Sequence, residues 1–139
     1  LFRSVLDALE RGARAVPSEN GGFLQVSGLT YEIHTGVASS AEKDENGMFT
    51  RVSGEYRVKN VMVGGQPLEL DKTYTLASHN YMLLGHGDGY TMFDGCEVLG
   101  EDMMVDNQVL ITYITTTLGG VVGEQYANPY GDGRIVAVE

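Results

Sequence analysis

The sequence predicts an α+β fold in which a mixed, mostly antiparallel sheet is packed with two main helices. Three observations predict it. Apolar residues recur at helical spacing near the start and again near residues 106–117. Between and after these stretches lie several short runs that alternate apolar and polar residues and are punctuated by glycine turns. The helical and strand segments follow no strict βαβ rhythm, which argues against a parallel doubly wound sheet.

The first helix is read from Leu1, Phe2, Val5, Leu6 and Leu9, which share one face, with Arg3, Asp7, Glu10, Arg11 and Arg14 mostly off it. It should end near Gly12 to Ala15, because Pro17 cannot continue it. No Ser, Thr, Asp or Asn precedes this helix and residue 1 is Leu, so we expect the chain to continue upstream. Ser18 to Gly22 is a turn cluster. Phe23 to His34 alternates as a strand, with a bulge or phase change at Gly28. Ala38 to Gly47 is polar and without period, and reads as an exposed loop. Met48 to Val63 reads as one or two strands broken at Gly54, and Gly64-Gly65 as a turn into the next strand. Thr73 to Ser78 carries a strong strand signal. Asp106 is the expected N-cap of the second helix, which carries Val109, Leu110, Tyr113 and Ile114 and stops at Gly119-Gly120. Arg134 to Val138 is the last strand.

The 139 residues fit one domain. The composition, 42% hydrophobic and 20% charged, is that of a globular protein. A net charge of −10 argues against a nucleic-acid polymer as partner, since such polymers are held mainly by Lys and Arg. A single nucleotide stays compatible with it. Cys96 is the one cysteine, so the chain has no internal disulfide and no zinc-type cysteine spacing. No apolar run is long enough to span a membrane.

The segment Asn80 to Tyr90 holds the candidate functional residues. Asn80, Tyr81, Asp88 and Tyr90 stand around three glycines, and glycine lets the backbone approach a ligand closely. An aromatic ring and a carboxylate on one loop suit a nucleoside: the ring stacks on a base and the carboxylate accepts hydrogen bonds from ribose hydroxyls. Tyr90 and Phe93 read as packing residues beneath the loop, and Phe23 as core. His79, His86 and Asp88 could also be read as metal ligands, but no fourth partner has clear spacing.

Several ordered pieces resemble the C-terminal domain of the bacterial and animal 5′-nucleotidase family, which includes UDP-sugar hydrolases and 2′,3′-cyclic-nucleotide phosphodiesterases. They are Gly22 to Gly28, Gly65 to Leu68, Lys72 to Ala77, Asn80-Tyr81 and Gly87 to Tyr90. The resemblance implies a 5′-nucleotidase-like substrate-binding domain, partial at its N-terminal side. It implies an upstream metallophosphoesterase domain with two divalent metal ions, and no cofactor in this chain. The base would stack on Tyr81, Asp88 would hold the ribose, and Asn80 and Gly87 would complete the substrate-binding set; no catalytic residue is expected here. The resemblance also implies export to the periplasm, cell surface or exterior. The family's other stacking aromatic and its Asn-Gly-Gly-x-Arg segment have no counterpart in the chain, and His86 stands where the family usually has glycine. The alternative is a non-catalytic surface or binding module that keeps the fold without turnover. With upstream strands absent, a sheet edge would be exposed and the chain would be prone to self-association.

Overall fold

Helix α1 spans Ser4–Ala13. A computed structural model describes residues 3–139, so Leu1 and Phe2, part of the expected helix face, lie outside the described residues. Leu9 and Ala13 of α1 enter the hydrophobic core, with Val5 and Leu6 packed at its margin. The expectation that Glu10 and Arg11 sit off the buried face is corrected: they are only 0% and 4% exposed. The last turns of the helix are covered on more than one side, because the sheet packs one face and a loop described below packs another.

The described chain falls into two compact units, residues 3–96 with 133–139 and residues 97–132. The first unit holds a four-stranded sheet in the order β5-β4-β1-β6, built from β1 (Leu29–His34), β4 (Val58–Val63), β5 (Gln66–Pro67) and β6 (Ile135–Val138). β1 runs antiparallel to β4, β4 antiparallel to β5, and β1 parallel to β6. The sheet is therefore mixed and mostly antiparallel, as the pattern predicts. Tyr31, Ile33, Val58 and Val61 project from it into the core with Leu9 and Ala13. The turn from β4 to β5 has φ of +57° at Gly64 and +78° at Gly65, the pair of left-handed residues that a tight hairpin of the sheet's own twist requires. Within β4 the register slips between Lys59 and Met62, where Asn60 takes φ +51° and Glu32 Oε2 accepts a 2.7 Å hydrogen bond from its side chain.

Three segments depart from the sequence reading. Only the second half of Phe23 to His34 is strand. Gly28, at φ +78°, marks the change, and Phe23, Leu24 and Val26 pack against the core without sheet partners. Part of the expected loop 38–47 forms β2 (Ala41–Lys43), which pairs with β3 (Phe49–Val52) in a two-stranded antiparallel hairpin. Its polar composition hid the strand; its turn is set by Asp44, whose Oδ1 accepts from the amides of Asn46 (2.9 Å) and Met48 (2.8 Å). Thr73 to Ser78 forms no strand. The alternation is present in the sequence, but no described strand pairs with the segment, and Leu76 is 47% exposed.

In the second unit, α3 (Asp106–Thr112) starts with Val105 as the flanking residue, so Asp106 is the first helical residue rather than the cap. The helix continues as one π-turn over Tyr113–Thr117, where Thr115 Oγ1 donates back to the Ile111 carbonyl at 2.8 Å. Gly119 and Gly120, both with positive φ, end it as expected. No helix of the described residues is long and apolar enough to cross a membrane.

Candidate functional site

The residues singled out by the sequence come together in one place within the first unit. Thr73 to Ser78 leads into α2 (Asn80–Leu83), a single helical turn. The chain then turns through Gly85 and His86 into a tight 3-10 turn, Gly87–Gly89. Asn80 stands at the start of α2, exposed, with its Oδ1 accepting from the Tyr81 amide at 2.8 Å. Tyr81 is 60% exposed. Its ring lies across Gly87, so that a β-carbon on residue 87 would overlap ring carbons Cδ1, Cε1 and Cζ. Glycine is therefore the residue that lets this ring pack directly against the loop backbone.

Asp88 is exposed and holds φ +54°, ψ +17°, a left-handed conformation that Asp tolerates better than most residues. Its side chain packs over Gly22: a β-carbon there would stand 2.9 Å from Asp88 Cβ and 3.2 Å from Oδ2. The aromatic ring and the carboxylate thus stand on one short loop, seven residues apart in sequence.

The underside of the loop is held by residues the sequence reading passed over. The buried Arg11 guanidinium donates to the Asp88 carbonyl from Nη2 (3.0 Å) and Nε (3.3 Å), and to the Gly47 carbonyl from Nη2 (2.7 Å). Gly89, at φ +80°, has no room for a side chain. A β-carbon would lie 2.5 Å from the Gly47 carbonyl oxygen and 2.6 Å from Arg11 Nη2. Tyr90 is fully buried and donates from its hydroxyl to the Gly22 carbonyl at 2.6 Å, which confirms it as a packing residue. Thr91 Oγ1 donates to the Phe49 carbonyl at 2.6 Å. Burial, followed by the neighbouring Arg14, pushes the Arg11 guanidinium down from its ordinary range. Burial pushes the Tyr90 phenol up to about 12. Nothing in the sequence marks Arg11: a cation near the C-terminal end of a helix reads as a solvated partner of the dipole.

His86 takes φ +54°, a left-handed conformation that glycine adopts at less cost, and its Nε2 lies 2.5 Å from Asp94 Oδ1. Among the described residues no group of three or more His, Cys, Asp or Glu side chains is arranged to hold a metal ion.

The first unit is thus a mixed sheet backed by α1, with an exposed aromatic and an exposed acid on one glycine loop. A family model of the 5′-nucleotidase C-terminal domain matches residues 3–95, and the chain belongs to that family. Among individual proteins, Protein UshA of Yersinia enterocolitica serotype O:8 / biotype 1B is 42% identical over 57 residues, covering 41% of this chain and 10% of that protein. The matched region thus spans about a tenth of that relative. No solved structure matches the chain.

Proposed function

We propose that this chain is the nucleoside-holding part of a metal-dependent nucleotide phosphohydrolase. The observation that carries the proposal is the pairing of the open Tyr81 ring with the exposed Asp88 carboxylate on a loop fixed from below. A base stacks on the free face of Tyr81, the face away from Gly87. The Asp88 carboxylate accepts hydrogen bonds from the ribose hydroxyls, Asn80 stands beside the ring at the start of α2, and Gly87 contributes by carrying the ring from beneath. The chemistry of this chain is positioning. A nucleoside held by its base and its sugar presents its phosphate in one orientation, which removes rotational freedom before bond breaking. The bond-breaking groups belong to a metallophosphoesterase domain elsewhere in the full polypeptide, and the protein acts after export; both follow from the family resemblance.

Titration of the full polypeptide with adenosine tests the reading. Tyr81→Ala should weaken binding by about 1–3 kcal/mol, the value of one base–aromatic stack. Equal binding by the wild type and this variant would remove the stacking role. The chain by itself should release no phosphate from AMP in the presence of divalent metal; metal-dependent release would overturn the division of labour. The isolated chain is also expected to self-associate, given apolar side chains as open as Leu99 (71%) and Leu110 (60%). A monomer by light scattering at high concentration would refute that.

A further inference from the structure

Asp88 reaches solvent with its carboxylate, but its main chain is gripped from inside. Two nitrogens of Arg11 converge on one atom, the Asp88 carbonyl oxygen, and Nη2 also reaches the Gly47 carbonyl at the tip of the β2–β3 hairpin. Arg11 has little freedom to move: it is 4% exposed and issues from a helix whose neighbours Glu10 and Gly12 are buried too. The position is a fork that fits two carbonyls at once. A guanidinium presents its donors in a fixed plane, whereas an ammonium is a point charge on a flexible stem and cannot copy that geometry.

The grip has a direct consequence for the carboxylate. Asp88 sits at φ +54°, where an L-residue gains little from local sterics, so the conformation depends on what holds the peptide on either side. On its C-terminal side Gly89 is pressed against Arg11 Nη2 and the Gly47 carbonyl oxygen. On its side-chain side Gly22 provides the flat floor. Tyr81, by contrast, rests on Gly87 and has no hydrogen bond to Arg11. The two proposed recognition groups therefore have separate supports.

We infer that Arg11 is the positioning residue of the sugar clamp: by holding the Asp88 carbonyl it sets the aim of the Asp88 carboxylate, and it leaves the stacking platform of Tyr81 alone. The inference rests on the nucleoside reading above and adds a specificity determinant on α1. It also assigns the β2–β3 hairpin a part, since its Gly47 carbonyl shares the same guanidinium.

The test compares adenosine with 2′,3′-dideoxyadenosine, which keeps the base but lacks both ribose hydroxyls, by titration of the full polypeptide. The wild type should bind adenosine about tenfold or more tighter than the dideoxynucleoside, the worth of a hydrogen bond to a charged group. Arg11→Lys keeps the charge and most of the volume, and spares the folding risk of leaving both carbonyls without a cationic donor. It should bring that ratio to about twofold or less while changing dideoxyadenosine affinity by less than about twofold. A general structural role for Arg11 would weaken both ligands alike, and that result overturns the inference. If Arg11→Lys keeps the wild-type ratio while Asp88→Asn abolishes it, the inference fails and the nucleoside reading stands. If Asp88→Asn leaves the ratio intact, or the wild type shows none, the nucleoside reading itself fails and takes the inference with it.

Discussion

The rim and the underside of the glycine loop lie within a few residues of one another and obey different physics. On the rim, Tyr81 and Asp88 are exposed and make few contacts that folding requires. On the underside, Gly87, Gly89 and Tyr90 are buried, and Arg11 and Tyr90 close hydrogen bonds to carbonyls of three different segments. The difference teaches that one turn can keep recognition and stability on separate side chains. Changes below should be felt in folding, and changes above in the ligand.

The largest effect is expected below. Gly89→Ala asks an L-residue to hold φ +80° and places a methyl 2.5 Å from the Gly47 carbonyl oxygen, a backbone atom that cannot swing away. We expect a loss of about 3 kcal/mol of stability in denaturant unfolding, the sum of a left-handed penalty and a close-packing clash. A loss under about 1 kcal/mol would mean that the hairpin tip yields and the underside is not rigid. The counterpart on the rim is Tyr81→Ala. It should leave unfolding unchanged to within about 0.5 kcal/mol, as for most exposed sites, while costing nucleoside binding as stated above. If it destabilised the fold as Gly89→Ala does, the distinction between rim and underside would collapse.

Tyr90→Phe sharpens the comparison at intermediate size. The ring stays, and only the donor to the Gly22 carbonyl goes. The buried carbonyl then lacks its partner, at a cost of about 1–2 kcal/mol in stability. Any loss of adenosine affinity should stay below that of Tyr81→Ala, because the Tyr90 hydroxyl reaches the rim only through the Gly22 backbone on which Asp88 rests.

Much of this region was legible in the sequence, and the limits have physical causes. The recognition loop and the Gly64-Gly65 hairpin were readable because glycine and its neighbours encode local conformation. The end of α1 was readable because Pro17 cannot extend a helix. Arg11 was not readable, since its partners are backbone carbonyls at residues 47 and 88, and carbonyls leave no mark on a sequence. The β2 strand was missed because its hairpin is polar and partly open, so it lacks the apolar alternation that betrays a half-buried strand. Thr73 to Ser78 failed in the opposite sense: alternation states that a segment suits a sheet, and a strand exists only where a neighbouring strand supplies the ladder.

Deeper still, on the sheet side of α1, Glu10 is fully buried. Its Oε2 accepts from the Val58 amide at 2.9 Å, while Oε1 has no hydrogen-bond partner. Burial raises its pKa above the ordinary 4.5, against the opposing pull of the Val58 and Arg57 amides and the Arg57 charge, with Asp7 adding a small rise. The folded state therefore holds this proton more tightly than the unfolded chain. The stability so gained is present below about pH 4.5 and lost as pH rises through the folded value. Glu10→Gln removes the titration. The melting temperature of the wild type relative to Glu10→Gln should rise as pH falls from neutral toward 4.5, and a flat difference would mean that Glu10 is charged in the fold at no cost.

The smallest effect belongs to His86, where rim and underside meet. Its φ of +54° is costly for a side chain with a β-carbon, by about 1 kcal/mol, and glycine would relieve that strain. Glycine would also remove the contact with Asp94, in which both partners are substantially exposed, at 39% and 61%. Such exposed contacts contribute between about 0 and 1 kcal/mol. The two terms nearly cancel, so His86→Gly should be neutral to slightly stabilising in denaturant unfolding. Glycine also widens the conformations open to the unfolded chain, which trims the gain. A variant less stable than wild type by more than about 1 kcal/mol would show that His86 is held by packing, and would move the boundary of the underside one residue toward the rim.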